Sequence, residues 1–172
     1  MALEGRRVLF ISYNGMLEPL GQTQVLPYLR ALAKRGVRFT LLSFERARAF
    51  TPEGAAQCEQ LRSELQAQGI EWHWLRYHKH PSVPATIYDV VAGIRKAKSL
   101  IRRNGIEMVH ARSHIPATIA LALKRSLGTT MWCTSRPSSP FHSRMMGQTR
   151  SVRVTTASVS AKMRRSAAFV RR

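Results

Sequence analysis

Along the first 130 residues the hydrophobic positions repeat one unit. A short apolar, β-branched or aromatic run is followed by a stretch with apolar residues at helical spacing, and then by a glycine. Residues 8–13, VLFISY, form the first predicted strand. A loop over 14–21 leads to a helix over 22–35, where Val25, Leu26, Leu29, Leu32 and Ala33 share one face and Gly36 stands at the C-cap position. Residues 37–44 predict strand two. Thr51-Pro52-Glu53 then opens a second helix by the cap-then-proline signal; it carries Cys58, Leu61 and Leu65 and ends near Gly69. Residues 70–77 alternate Ile70, Trp72 and Trp74 against Glu71 and His73, the period of a strand. A loop with Pro81 and Pro84 precedes a helix over about 85–103, with Val90, Val91, Ile94, Ala97 and Ile101 on its stripe. Residues 106–111 predict strand four, and 116–127 a last amphipathic helix closed by Gly128.

Strands alternating with helices of this length pair in parallel through right-handed crossovers. The fold class is therefore α/β, a Rossmann-like doubly wound parallel sheet. After Gly128 the pattern fails: Met131-Trp132-Cys133-Thr134 runs straight into Ser135-Arg136-Pro137, with no period behind it. The domain is expected over 1–130. Residues 131–172 are expected to be a disordered, basic, Ser/Arg-rich tail that is not native to the fold, as a frameshift or truncation would produce.

Charge sharpens that division. The formal net charge is +19, all nine acids lie at or before Glu107, and 131–172 hold nine of the 28 Lys and Arg with no acid. The folded part is thus less basic than the whole. Nucleic acid is not favoured as a partner, while peripheral contact with an anionic membrane is retained. Cys58 and Cys133 match no metal spacing and are too few for a disulfide framework, so a cytoplasmic location is expected, extending to the inner membrane face. No run approaches the roughly 20 apolar residues of a membrane span.

Ligands of a doubly wound sheet sit beyond the carboxyl ends of the strands, where the winding reverses. That rule selects two loops. In the first, Asn14, Gly15, Gly21 and Gln22 are candidates, because glycines admit a ligand close to the backbone and the next helix presents free N–H groups. The same glycines also suit plain turn geometry, and the two readings stay open. The loop is neither G-x-G-x-x-G nor a Walker A. In the second, His110, Arg112, Ser113 and His114 supply imidazoles, a guanidinium and a hydroxyl for phosphate or sugar oxygens, with Ser113 also placed to cap the helix. His73, His78 and His80 have no neighbouring carboxylate or cysteine in sequence and are expected in a solvated loop, with no metal.

The segments RRVLFISYNGMLEPLGQTQVLPYLRALAKRGVRFTLLSFE and IRRNGIEMVHARSHIPATIALALKRSLG together resemble the N-terminal domain of the family 4 retaining glycosyltransferases, which have the GT-B fold. The resemblance implies an acceptor-side domain that works with a second, nucleotide-sugar-binding domain. The co-substrate would be a nucleotide-sugar, with no other cofactor, and the acceptor a glycan, a lipid or a small molecule. It also implies that Gly15 and Gly21 face donor phosphates or acceptor, and that residues 110–114 line the acceptor side. The donor domain and its E-x7-E element are not in this chain, so inactivity of the chain alone is expected; Glu45 and Glu53 share that spacing by accident. Two other readings are a dinucleotide-binding module, with Glu45 as the ribose-binding acid at the end of strand two, and a basic protein that binds nucleic acid or anionic membrane.

Overall fold

The computed structural model describes residues 5–128 and, for the last strand, the backbone of 130–134. Five strands make one sheet in the order β3-β2-β1-β4-β5: β1 (Arg7–Ser12), β2 (Arg38–Glu45), β3 (Ile70–Arg76), β4 (Met108–Arg112) and β5 (Thr130–Thr134). All four pairings are parallel. The most apolar strand lies in the middle: β1 aligns Phe10 with Leu41 on one side and with His110 on the other. Because helices pack on both faces of the sheet, this central strand is buried on both sides, which is why residues 8–11 read as a continuous apolar run rather than an alternation.

Helices cover both faces. Val8, Phe10, Phe39, Leu41, Ile70 and Trp72 form one core with α1 (Leu26–Ala33) and α2 (Pro52–Ala67). Leu9, Ile11, Leu42, Phe44, Val109 and Ala111 form the other with α3 (Ser82–Asn104) and α4 (His114–Leu127). Each fully buried Leu, such as Leu9, Leu29 or Leu42, contributes roughly 1.5–3 kcal/mol of transfer free energy. The winding reverses between β1 and β4, as the pattern of strands and helices predicts for a Rossmann-like doubly wound sheet.

There are four local departures from the predicted pattern, three of them with a plain physical cause. Helix α1 is preceded by a π-helical turn, Gly21–Val25, in which the Leu26 N–H donates to Gly21 O. Pro27 brings no N–H and crowds the carbonyl four residues back, and the wider turn relieves both. Helix α3 begins at Ser82, ahead of the expected 85, because Pro84 falls in the first turn, where no intrahelical donor is lost. Helix α4 begins at His114 rather than 116. Most consequentially, the pattern does not stop at Gly128: Thr130–Thr134 pairs in parallel with Met108–Arg112, so the sheet runs past the expected boundary at 130 and takes in residues assigned to the tail. A five-residue strand followed at once by Ser-Arg-Pro has too short a period to stand out in sequence. The expectation of a disordered, non-native tail falls, from 135 onward, outside the described residues. Among the described residues no helix is long and apolar enough to cross a membrane.

Candidate functional site

The carboxyl ends of β1, β2, β3 and β4 form one rim, and the first loop closes over it by way of a buried acid. Glu45, the last residue of β2, is 1% exposed. Its Oε1 accepts the Met16 amide N–H at 2.6 Å and the Ser43 hydroxyl at 2.6 Å, while Trp72 Nε1–H donates to that hydroxyl at 2.9 Å. Burial raises the Glu45 pKa; hydrogen bonds from Ser43 and from the amides of Met16 and Leu17 oppose that shift by favouring the carboxylate. The other side of the loop is held by Gln22, whose Nε2 donates to Met16 O at 2.7 Å. The Met16 side chain itself is fully buried.

Both glycines of this loop are consumed by the closure. A Cβ on Gly15 would run into the Glu45 carboxylate, and one on Gly21 would lie 2.7 Å from Met16 Cα and closer still to Gly15 O. Close backbone approach is therefore used internally, carboxylate against loop and loop against helix start.

Beside this loop lies an open cleft with about 300 Å³ of empty volume, lined by Tyr13, Asn14, Gly15, Glu18, Phe44, Arg46 and Tyr77. Its aromatic wall is built from Tyr13 against Phe44 (centroids 5.0 Å apart) and edge-on to Tyr77 (5.2 Å). Arg46 forms an ion pair with Glu18 across it. Behind the wall, Asp89 of α3 is 1% exposed and accepts three hydrogen bonds: Tyr13 Oη–H at 3.0 Å, the His78 amide at 3.1 Å and His78 Nδ1 at 2.7 Å. Burial, then the hydrogen bond to Asp89, pushes the Tyr13 pKa far above its ordinary value, so its hydroxyl stays a donor.

The second predicted loop is divided by the fold. His110 is buried on the α1 face, 4.7 Å from the Phe10 ring and 6.0 Å from that of Tyr28. Burial, with the nearby Arg112 charge, lowers its pKa to about 4, so it is neutral at physiological pH. Arg112 is half-buried and its guanidinium donates to Gln24 Oε1, which ties β4 to the turn that starts α1. Ser113 occupies the N-cap position of α4 with φ +82° and ψ 179°, and its side chain makes no cap hydrogen bond; the expected capping is absent. Backbone in that region suits glycine alone and costs a serine about 1–3 kcal/mol. His114 is exposed at the start of the helix. Of the eight predicted residues, then, Asn14 and Gly15 line the cleft, Gly21 and Gln22 close the loop, and Arg112, Ser113 and His114 stand at the β4 end of the rim. His110 lies beneath α1.

Sequence reading missed Tyr13, Glu45 in its loop-holding role, and the His78–Asp89 pair. His78 is not in a carboxylate-free loop, because its partner comes eleven residues later, from α3. The signal was present: Ala85, Asp89, Gly93 and Ala97 make an inward stripe in which one residue is charged. Among the described residues no group of three or more His, Cys, Asp or Glu is placed to hold a metal ion.

A doubly wound parallel sheet with its cleft at the strand ends defines the class of this protein as a Rossmann-like α/β domain. No family model and no curated protein matches the chain. Several solved structures do. The C-terminal domain of the PF1911 hydrogenase from Pyrococcus furiosus is similar at 15% identity, with 76% of this chain and 91% of that one covered and a TM-score of 0.50. A glycosyltransferase from Rickettsia africae is similar at 11% identity over 79% of this chain and 32% of that one, TM-score 0.49. CalG4, the calicheamicin glycosyltransferase, is similar at 18% identity over 92% of this chain and 39% of that one, TM-score 0.47. The chain thus spans about a third of the Rickettsia protein. At these identities the likeness is one of fold.

Proposed function

We propose that this chain is the acceptor-side, N-terminal half of a GT-B glycosyltransferase of the family 4 type, and that it takes part in moving a sugar from a nucleotide-sugar to a glycan, lipid or small acceptor. It acts in the cytoplasm and, through its basic charge, at an anionic membrane surface. Nucleic acid has no part in this reading. The two quoted sequence segments support it, and one structural observation carries it: the carboxylate of Glu45 fills the first loop. In a dinucleotide-binding domain that loop cradles the pyrophosphate with its amides and glycines. Here a buried acid takes the Met16 amide, and the glycines face protein atoms. A phosphate in the same place would find the Met16 amide already taken by that carboxyl group. The arrangement suits a half whose cleft receives a neutral, hydroxylated partner while the nucleotide is held elsewhere.

Chemically, Asn14 and the rim residues Arg112, Ser113 and His114 would contact the acceptor or the sugar being transferred, and Gly15, Gly21 and Gln22 would keep the loop in shape. No metal or further cofactor enters the reading. Titration of the ¹⁵N-labelled full chain with UDP-glucose, GDP-mannose and NADP at physiological ionic strength tests it. Neither the nucleotide-sugars nor NADP is expected to shift the amides of Met16 and Leu17, because this half receives the acceptor and its first loop is already closed by Glu45. Shifts of Met16 and Leu17 with NADP alone would overturn the reading in favour of a dinucleotide module.

A further inference from the structure

His78 lies two residues beyond β3, next to cleft-lining Tyr77, and is held by the buried carboxylate of Asp89. Asp89 is 1% exposed, and each of its oxygens is engaged by Tyr13 or His78. An ionised carboxylate only accepts hydrogen bonds, so the proton of a neutral His78 sits on Nδ1 at 2.7 Å from Oδ1, and Nε2 carries the lone pair. The His78 side chain is 38% exposed, and no described residue hydrogen-bonds Nε2. The backbone N–H of His78 to the same carboxylate fixes the position of the ring from a second direction. A tautomer fixed by a buried acid, with its acceptor nitrogen turned out, is costly to maintain. Packing alone does not ask for it, since burying Asp89 brings a desolvation penalty that an apolar residue on the α3 stripe would avoid.

The surroundings of Nε2 restrict what it would accept. The Tyr88 ring stands edge-on to the imidazole at 5.1 Å and is 62% exposed, and Ile87 beside it is 59% exposed. Val83 and Val91 extend the same apolar surface along α3. A hydrogen-bond acceptor set at the edge of an exposed apolar strip matches a ligand with a hydroxyl group next to an apolar body. A free sugar would leave the strip wet, and a plain hydrocarbon would leave Nε2 without a donor.

We propose that His78, oriented by Asp89, accepts the hydroxyl of an amphipathic acceptor whose apolar part lies on Tyr88 and Ile87. This inference rests on the acceptor-side reading and names the substrate class for it: an alcohol carried on an alkyl or aromatic chain rather than a free glycan.

The test uses the full chain and two probes, octyl β-glucoside and its tetra-O-methyl ether, which keeps the octyl chain and every ether oxygen but has none of the four hydroxyl donors, below their micelle concentrations, with glucose as a third arm. Nuclear magnetic resonance reads the His78 Nε2 shift and the Ile87 and Tyr88 signals. Octyl β-glucoside is expected to move all three and to bind about tenfold better than the ether, the worth of one buried-edge hydrogen bond. Glucose is expected to bind too weakly to saturate. His78→Phe should abolish the preference for the alcohol and leave the apolar shifts in place. Asp89→Asn frees the other tautomer, so that Nε2 carries the proton and the ether becomes the equal of the alcohol; if that variant does not fold, His78→Gln takes its place, with the preference reduced. Equal binding of alcohol and ether by the wild type, or shifts that bypass His78, would overturn the proposal. No nucleotide is present, so this outcome is independent of whether nucleotide-sugars or NADP bind.

Discussion

The two loops at the switch point look equivalent in sequence, one rich in glycine and the other in histidine, yet the fold treats them in opposite ways. The first, residues 14–21, is satisfied from within: its amide goes to Glu45, its carbonyl to Gln22, and its glycines meet protein atoms. The second leaves a requirement unmet. Ser113 adopts a glycine conformation, offers no cap to α4, and stands between a half-buried arginine and an exposed histidine. Glycine content therefore signals the loop built for rigidity, and a non-glycine residue in a glycine conformation marks the loop where strain is retained. Strain of that kind persists where the surrounding structure imposes it, and clusters at functional positions.

Breaking the first loop has the largest expected effect. Glu45→Ala leaves the Met16 amide and the Ser43 hydroxyl without their acceptor and is expected to cost on the order of 4 kcal/mol in urea unfolding. Next comes the residue that the fold withdrew from the second loop. With its pKa lowered to about 4 from an ordinary 6.5, His110 favours folding as the neutral imidazole. Its contribution is complete above pH about 6.5 and is lost as pH falls toward 4, on the order of 3 kcal/mol across that window. His110→Gln should flatten the pH dependence of stability over that range. The smallest effect has the opposite sign: Ser113→Gly relieves the positive φ and is expected to raise stability by about 1 kcal/mol, less the entropy glycine restores to the unfolded chain. Thermal unfolding of the pair of proteins measures the gain.

The layered fold was legible because each strand–helix unit carries its own period and its own stop, from Thr51 capping α2 to Gly105 and Gly128 ending α3 and α4 in left-handed backbone. The short edge strand β5 was not, since five residues give no measurable period. For the site, the rim was predictable from topology, whereas the groups that shape it were not. Glu45 and Asp89 act on residues 29 and 11 positions away, and such pairings exist only once β1, β2 and α3 are side by side. A histidine cluster in sequence likewise cannot reveal that strand alternation turns His110 inward under α1 while His114 stays exposed.

Amide hydrogen exchange at Met16 is the most direct test of whether an internal carboxylate, rather than a ligand, holds the first loop. The ligand-free wild type is expected to protect the Met16 amide strongly, and Glu45→Ala to lose that protection while β1 amides retain theirs. A Met16 amide that exchanges freely in the wild type and becomes protected only when NADP is added would contradict it.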